Sequence, residues 1–217
     1  MGFDMNLRAA IFDMDGTLLN TMPYWRCTTL EYLLYHQWPV KPWVLERMMA
    51  TSSRKLIREY AAREGFELDE ANLIPELEAF MDRHYRFDAH RKGHSEALLP
   101  ALRARGARMC VATGSPRQYA RHGLERLGLL EYFEFVTDNY EGPHTKDQPD
   151  YFRWLLGRLD ADPGETWVFE DALYAMQAAK AAGLRVCAIE DPSAAADREA
   201  IMALADVYVK DWLELLM

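Results

Sequence analysis

Short apolar runs alternate with amphipathic stretches along most of the chain. Helical patterns follow several of these runs, at Pro116–Leu127, Asp150–Leu159 and Ala172–Ala182. The runs predict six strands, at Ala9–Phe12, Met109–Ala112, Phe133–Thr137, Thr166–Phe169, Arg185–Ile189 and Asp206–Val209. Strands that alternate with helices are typical of βαβ units. We therefore predict an α/β fold, a Rossmann-like parallel sheet with helices on both faces.

One region interrupts this alternation. Between residues 20 and 90 the pattern predicts helices alone, at Tyr24–His36, Pro42–Met49, Arg54–Glu64 and Asn72–Arg86. A block of helices after the first strand indicates a small inserted domain. We predict an α/β core domain formed by residues 1–19 and 91–217, and a helical domain formed by residues 20–90.

Charge and cysteine content limit the partners. The 34 acidic and 25 basic residues give a net charge of −9, so the average field repels nucleic acid and anionic membranes. No apolar run is long enough to span a bilayer. The cysteines, Cys27, Cys110 and Cys187, have no CxxC spacing and predict buried thiols in a reducing compartment. We expect a cytoplasmic protein, a monomer or weak dimer, with no nucleic-acid or membrane partner.

Two carboxylates follow the first predicted strand, in the stretch RAAIFDMDGTLL. Asp13 and Asp15 stand at the carboxyl end of that strand, the end that faces the ligand crevice in an open parallel sheet. Two like charges so close require a cation or a proton, so the pair favours a divalent ion. Gly16 permits a sharp turn, and Thr17 supplies a hydroxyl that could orient one carboxylate. An Asp-rich capping turn has a similar pattern.

Polar residues follow three further predicted strands. Thr113-Gly114-Ser115-Pro116 leads into a helix and could bind an anion, although a simple helix N-cap looks the same. Lys146 follows the third strand, and Glu170 and Asp171 follow the fourth. Each feature has an ordinary structural explanation. Their occurrence at successive strand ends predicts one common site.

Four segments resemble the motifs of the haloacid dehalogenase superfamily, in the subgroup that has a helical cap after the first strand. They are DMDGT (Asp13–Thr17), VATGS (Val111–Ser115), KDQPDYF (Lys146–Phe152) and VFEDALYAMQAAKAAG (Val168–Gly183). This subgroup includes β-phosphoglucomutase and small-metabolite phosphatases. The resemblance implies a Mg²⁺-dependent phosphatase that hydrolyses a small phosphorylated metabolite, such as a sugar phosphate, with residues 20–90 as the cap.

The resemblance also implies the catalytic roles. Asp13 would be the nucleophile that forms an aspartyl-phosphate, and Asp15 would be the general acid and base. Thr113, the Gly114 amide and Lys146 would bind the transferring phosphate oxygens. The reaction would then be the hydrolysis of a phosphomonoester in two displacement steps.

Metal and substrate ligands follow from the same resemblance. Asp13, the Asp15 carbonyl and Asp171 would hold Mg²⁺, with Glu170 nearby or acting through water. The cap loop of the family falls at residues 50–55, and the substrate-binding candidates are Ser53, Arg54 and Arg117. A helix N-cap at Ser52 or Ser53, with Arg54 and Lys55 exposed to solvent, is the alternative for this loop.

The sequence departs from the family's motifs at two positions, and three other functions remain as alternatives. Asn20 stands where the family usually has Asp, and Asp147 adds a negative charge directly after Lys146, where Pro is usual. A β-phosphoglucomutase-like phosphotransferase would have the same site. Two alternatives are not enzymes: a phospho-accepting receiver domain, and a catalytically silent regulator with this fold. Turnover that depends on Asp13 would separate an enzyme from both.

Overall fold

The chain forms two compact units. The computed structural model describes residues 7–217, so the first six residues of the predicted core segment lie outside the described residues. One unit, called the α/β unit here, contains residues 7–20 and Ala89–Met217, and the other, called the helical unit, contains Thr21–Asp88. The assignment of the helical unit as a cap domain stays a prediction.

A six-stranded parallel sheet organises the α/β unit. Strands β1 to β8 are, in chain order, Ala9–Phe12, Leu19–Asn20, His90–Arg91, Arg108–Thr113, Phe135–Asp138, Thr166–Glu170, Arg185–Ile189 and Val207–Val209. The spatial order of the large sheet is β5-β4-β1-β6-β7-β8, and every neighbouring pair is parallel. The two-residue strands β2 and β3 form a separate antiparallel ribbon. The predicted α/β fold class is confirmed, with all six predicted strands in one sheet.

Nine α-helices accompany these strands within residues 7–217. Helices α1 to α9 are, in chain order, Met22–Tyr35, Pro42–Arg47, Ser53–Glu64, Glu70–Phe87, Ser95–Ala104, Arg117–Arg126, Pro149–Leu159, Leu173–Ala181 and Arg198–Leu204. The first four lie in the helical unit. The sequence pattern missed α5 and α9. Pro100 lies inside α5, where proline usually indicates a break, and α9 has only seven residues.

The central strand β1 is completely buried, and its side chains alternate between the two faces of the sheet. Ile11 packs into the core cluster formed with α7 and α8. On the opposite face, Phe12 stacks on Phe169 with ring centroids 4.2 Å apart, and Phe169 contacts Trp212 edge to face. The Trp212 indole N–H donates to the Thr17 carbonyl at 3.0 Å. Packing on both faces therefore fixes the strand that carries the two aspartates.

The helical unit has its own aromatic core. Trp38 packs against two buried clusters, one around Tyr32 and one around Tyr60, and stacks on Phe66 at 4.7 Å.

Cys110 and Cys187 are buried as predicted, but Cys27 on α1 is exposed, so the prediction for that thiol is wrong. Apolar residues occur all round α1, and the pattern therefore does not indicate which side faces solvent. Across residues 7–217, no helix has the length and hydropathy of a transmembrane segment.

Candidate active site

The Asp13–Asp15 turn begins where β1 ends. The Asp13 N–H donates to the Phe169 carbonyl at 2.9 Å, which continues the ladder between β1 and β6 by one residue. The chain then turns at Gly16, whose φ of +90° is a conformation that L-residues with a side chain rarely adopt. The Gly16 N–H closes the turn on the Leu19 carbonyl at 2.8 Å. Both carboxylates thus lie at the carboxyl edge of the sheet.

Lys146 reaches this edge from the loop between β5 and α7. Its ammonium donates to Asp13 Oδ1 at 2.6 Å and to Glu170 Oε2 at 2.8 Å, and all three side chains are buried. Burial alone would lower the pKa of Lys146, but the two carboxylates outweigh it and hold that pKa well above its usual value. Asp147 is exposed to solvent, and its carboxylate accepts a hydrogen bond from the Thr145 hydroxyl at 2.5 Å. Lys146 therefore contacts the proposed nucleophile despite the unusual loop.

Three carboxyl groups cluster at this edge of the sheet, and two of them contact the Lys146 ammonium. Asp13, Glu170 and Asp171 each offer an oxygen, and the three oxygens lie within 4.8 Å of one another. Burial, followed by the charge of Glu170, raises the pKa of Asp13 to about 7, although Lys146 opposes the rise. Burial and the charges of Asp13 and Glu170 raise the pKa of Asp171 well above its usual value. When all three carboxyl groups are ionised, the cluster has more negative charge than its lysine balances.

The oxygens of this cluster differ in their hydrogen bonds. Glu170 Oε1 accepts the N–H groups of Asp171 and Ala172, each at 3.1 Å, and its other oxygen accepts Lys146. Asp13 Oδ2 is buried, and within residues 7–217 no donor is in hydrogen-bond range of it. A buried oxygen of this kind is costly unless a ligand pairs with it. The donor set therefore fits a hard cation that takes oxygen ligands.

Two hydroxyl groups from the end of β4 bind the second aspartate. Ser115 Oγ donates to Asp15 Oδ2 at 2.6 Å, and Thr113 Oγ1 donates to the same oxygen at 3.3 Å. The Thr17 hydroxyl, by contrast, is buried and has no hydrogen-bond partner among the described residues. The idea that Thr17 orients a carboxylate is therefore wrong, because residues distant in sequence perform that task.

Asp138 and Asn139, which the sequence analysis missed, hold the loops around the site. Asp138 Oδ2 accepts the N–H of Arg117 at 2.8 Å, and its Oδ1 accepts the N–H of Tyr140 at 2.9 Å. Asn139 Oδ1 accepts the N–H of Lys146 at 3.2 Å. The available signal was a pair of polar residues directly after the third predicted strand, in the same position as the other site residues.

We expect Asp138→Ala to lower the free energy of unfolding by about 2 kcal/mol, because two backbone N–H groups lose a charged acceptor. Denaturant titration followed by far-UV circular dichroism measures the change. The matched control is Asp147→Ala, which removes an exposed carboxylate from the neighbouring loop. Equal stability of the two variants would contradict a role for Asp138 in holding these loops.

The substrate-binding candidates are divided between the two units. Arg117 is exposed at the start of α6 and forms an ion pair with Glu141 at 2.9 Å. Ser53 begins α3 in the helical unit, and Arg54 follows it as an exposed residue. Ser52 occupies the N-cap position without a side-chain capping bond. The roles of Ser53, Arg54 and Arg117 stay predictions.

Comparisons with known proteins agree with this geometry. The family model described as haloacid dehalogenase-like hydrolase matches residues 10–189. Fructose-1-phosphate phosphatase YqaB of Escherichia coli is 33% identical over 80% of this chain and 92% of its own length. A phosphorylated carbohydrates phosphatase of Thermotoga maritima is 26% identical over 82% of each chain.

The fold has a close counterpart among solved structures. The crystal structure of a putative β-phosphoglucomutase from Thermotoga maritima superposes with a TM-score of 0.81 over 97% of both chains, at 22% sequence identity. At this identity the likeness describes the fold alone. The family match, which covers all the strand-end residues described above, is the decisive finding. The chain belongs to the haloacid dehalogenase-like hydrolase family.

Proposed function

We propose that this phosphomonoester hydrolase removes the phosphate group of a small phosphorylated carbohydrate, with Mg²⁺ as its cofactor and an aspartyl-phosphate as its intermediate. One observation carries the proposal, the contact of Lys146 with Asp13 at 2.6 Å inside a buried acidic cluster. The ammonium can attract an anionic phosphate to the carboxylate that attacks it. The surplus of carboxylates provides ligands for a cation.

The two aspartates would divide the chemistry. In the first step, an oxygen of Asp13 attacks phosphorus, the bond to the ester oxygen breaks, and the carboxyl proton of Asp15 passes to the departing alkoxide. In the second step, water attacks phosphorus and gives a proton to the Asp15 carboxylate, and the bond between Asp13 and phosphorus breaks. The products are an alcohol and inorganic phosphate, and both aspartates return to their starting forms.

Thr113, Gly114 and Lys146 are the proposed ligands of the phosphate oxygens. Thr113 ends β4 beside Asp15, and Lys146 contacts Asp13, so their donors flank the two catalytic carboxylates. Gly114 is exposed, and among the described residues a Cβ at this position would meet only the Asn139 amide, at 3.7 Å. The backbone there is open to a ligand. Such donors oppose the negative charge of the phosphate as it is transferred.

Mg²⁺ suits the donor set of the acidic cluster. Asp13, the Asp15 main-chain carbonyl, Glu170 and Asp171 are the residues that would hold it, and all supply oxygen. The buried Asp13 Oδ2, which lacks a donor among the described residues, supports direct ligation by Asp13. Both Glu170 oxygens already accept hydrogen bonds, which favours a contact through water. When bound, the ion would neutralise charge on the phosphate and the carboxylates.

The substrate class rests on the names of the relatives. The Escherichia coli relative is named for fructose 1-phosphate and the Thermotoga maritima relative for phosphorylated carbohydrates. Substrate selection would then depend on groups that bind the sugar and not the phosphate. We assign that role to the helical unit, as a cap that contributes Ser53 and Arg54, and to Arg117. Their polar or cationic side chains suit hydroxyl groups or a second anion.

We expect the purified protein to release phosphate from one or a few sugar phosphates in a broad panel, and to do so only with Mg²⁺. Excess chelator should reduce turnover to background, and added Mg²⁺ should restore it, because the ion neutralises the carboxylates around phosphorus. Phosphate release is measured colorimetrically and the sugar products by mass spectrometry. Conversion of a sugar phosphate to its isomer without phosphate release would indicate a mutase instead. Absence of any turnover by folded protein would overturn the proposal.

A further inference from the structure

Two hydroxyl groups converge on a single oxygen of the proposed acid and base. Asp15 is half-buried in the turn after β1, whereas Thr113 and Ser115 are buried at the end of β4. The bond from Ser115 Oγ to Asp15 Oδ2, at 2.6 Å, is much shorter than the bond from Thr113 Oγ1, at 3.3 Å. By length alone, Ser115 is the stronger donor to this carboxylate.

The Thr113 hydroxyl also accepts a hydrogen bond. The Ser115 N–H donates to Thr113 Oγ1 at 3.0 Å, which leaves the Thr113 proton to be given to an acceptor. In the proposed reaction that acceptor is a phosphate oxygen. A bound phosphate would therefore draw Thr113 away from Asp15 and leave Ser115 as the hydroxyl that holds the carboxylate.

We infer that Ser115 is a positioning residue that holds Asp15 in the orientation needed for proton transfer. This inference rests on the proposed function, because it concerns the proton that Asp15 gives to the leaving alkoxide. Ser115 itself forms and breaks no bond in the reaction. Its hydroxyl can donate to Oδ2 in both forms of Asp15, because the carboxylic acid form can carry its proton on Oδ1 and keep Oδ2 as an acceptor. The same contact therefore serves both protonation states of the cycle.

The effect of removing the Ser115 hydroxyl on the reaction rate should depend on the leaving group of the substrate. An alkoxide leaving from a sugar phosphate needs a proton as its bond to phosphorus breaks, whereas p-nitrophenolate is stable without one. Loss of the Ser115 hydroxyl should therefore damage the cleavage of sugar phosphates much more than that of p-nitrophenyl phosphate. A general disturbance of the site would affect both substrates alike.

The test compares kcat/KM of wild type, Ser115→Ala and Ser115→Thr for the best sugar phosphate of the panel and for p-nitrophenyl phosphate. We expect Ser115→Ala to lower the value for the sugar phosphate by about 10- to 100-fold, with a loss at least tenfold smaller for p-nitrophenyl phosphate. Ser115→Thr keeps a hydroxyl and should recover most of the lost activity.

Thr166→Val is the matched control. It removes another buried hydroxyl, whose bond to the Asp162 carbonyl measures 2.7 Å, at the opposite end of the sheet. Both substrates should respond equally to this change. Equal losses for both substrates in Ser115→Ala, or no loss at all, would overturn the inference while wild-type turnover preserves the proposed function. A wild type that cleaves neither substrate would overturn the proposed function and this inference with it.

Discussion

Asp13→Asn should abolish phosphate release while the protein remains folded. The change removes the attacking oxygen of the proposed nucleophile, and an amide in its place does not form the acyl phosphate. The expected loss in kcat is about 10⁴-fold or more, the scale at which removal of a nucleophile stops covalent catalysis. Steady-state phosphate release with the best substrate of the panel measures it.

The same substitution should stabilise the metal-free protein. Burial and the charges of Glu170 and Asp15 raise the pKa of Asp13 to about 7, so the ionised carboxylate is unfavourable in the folded protein at pH 8. A neutral amide removes that penalty, and we expect the free energy of unfolding in chelator to rise by roughly 1–3 kcal/mol. Stabilisation by added Mg²⁺ should be weaker than in wild type, because one proposed ligand is changed.

Asp147→Asn is the matched control for this experiment, since its carboxylate is exposed in the loop next to Lys146. Turnover and stability should stay close to wild type. An acid-quenched reaction analysed by intact mass spectrometry adds a direct test, because wild type should carry one phosphoryl group and the D13N variant none. Turnover by D13N above one part in about a hundred, without deamidation, would contradict a nucleophilic Asp13.

The strand-end residues of the site could be predicted from the sequence because topology brings them together. Asp13 follows β1, Lys146 lies in the loop after β5, and Glu170 and Asp171 lie at the end of β6. The carboxyl ends of the parallel strands of one sheet lie at one edge. The strands themselves were recognisable because a sheet covered on both faces requires continuous apolar runs. The site residues at the strand ends could therefore be identified from the apolar runs that precede them in the sequence.

Hydrogen bonding within the site was not predictable in the same way. Thr17 is two residues from Asp15, yet the hydroxyl that binds Asp15 most closely belongs to Ser115, 100 residues away along the chain. Such a choice depends on side-chain rotamers and on loop geometry, neither of which has a sequence period. The role of Asp138 could not be predicted for the same reason, since its bond to the Arg117 N–H requires the start of α6 to lie beside the end of β5.

Replacement of Lys146 should have the largest effect on stability. Lys146→Met keeps most of the length of the side chain but removes the ammonium that contacts Asp13 Oδ1 at 2.6 Å and Glu170 Oε2 at 2.8 Å. Two buried carboxylates then lose their common counter-charge, and loss of one partner from a buried ion pair typically costs about 3–5 kcal/mol. We expect a decrease of that size in the free energy of unfolding in chelator, measured by denaturant titration.

Lys180→Met provides the matched comparison. Lys180 also bonds a carboxylate, with both contacts to Asp206 at 2.8 Å, but the two side chains are about one third exposed. A surface pair of this kind contributes at most about 1 kcal/mol, so the control should change stability little. Equal destabilisation by the two substitutions would contradict a dominant role for burial in the Lys146 cluster.

A double variant separates loss of charge from loss of packing. If unpaired carboxylates cause the instability of Lys146→Met, then adding Glu170→Gln should recover about 1–3 kcal/mol, since one buried charge is removed. If lost packing causes it, the second change should add a further decrease. Turnover should stay at least about 100-fold below wild type in either variant, because no ammonium remains to oppose the charge of the transferred phosphate. Recovery of stability without recovery of activity would then assign to Lys146 two separable tasks, neutralisation of the cluster in the resting protein and attraction of phosphate during the reaction.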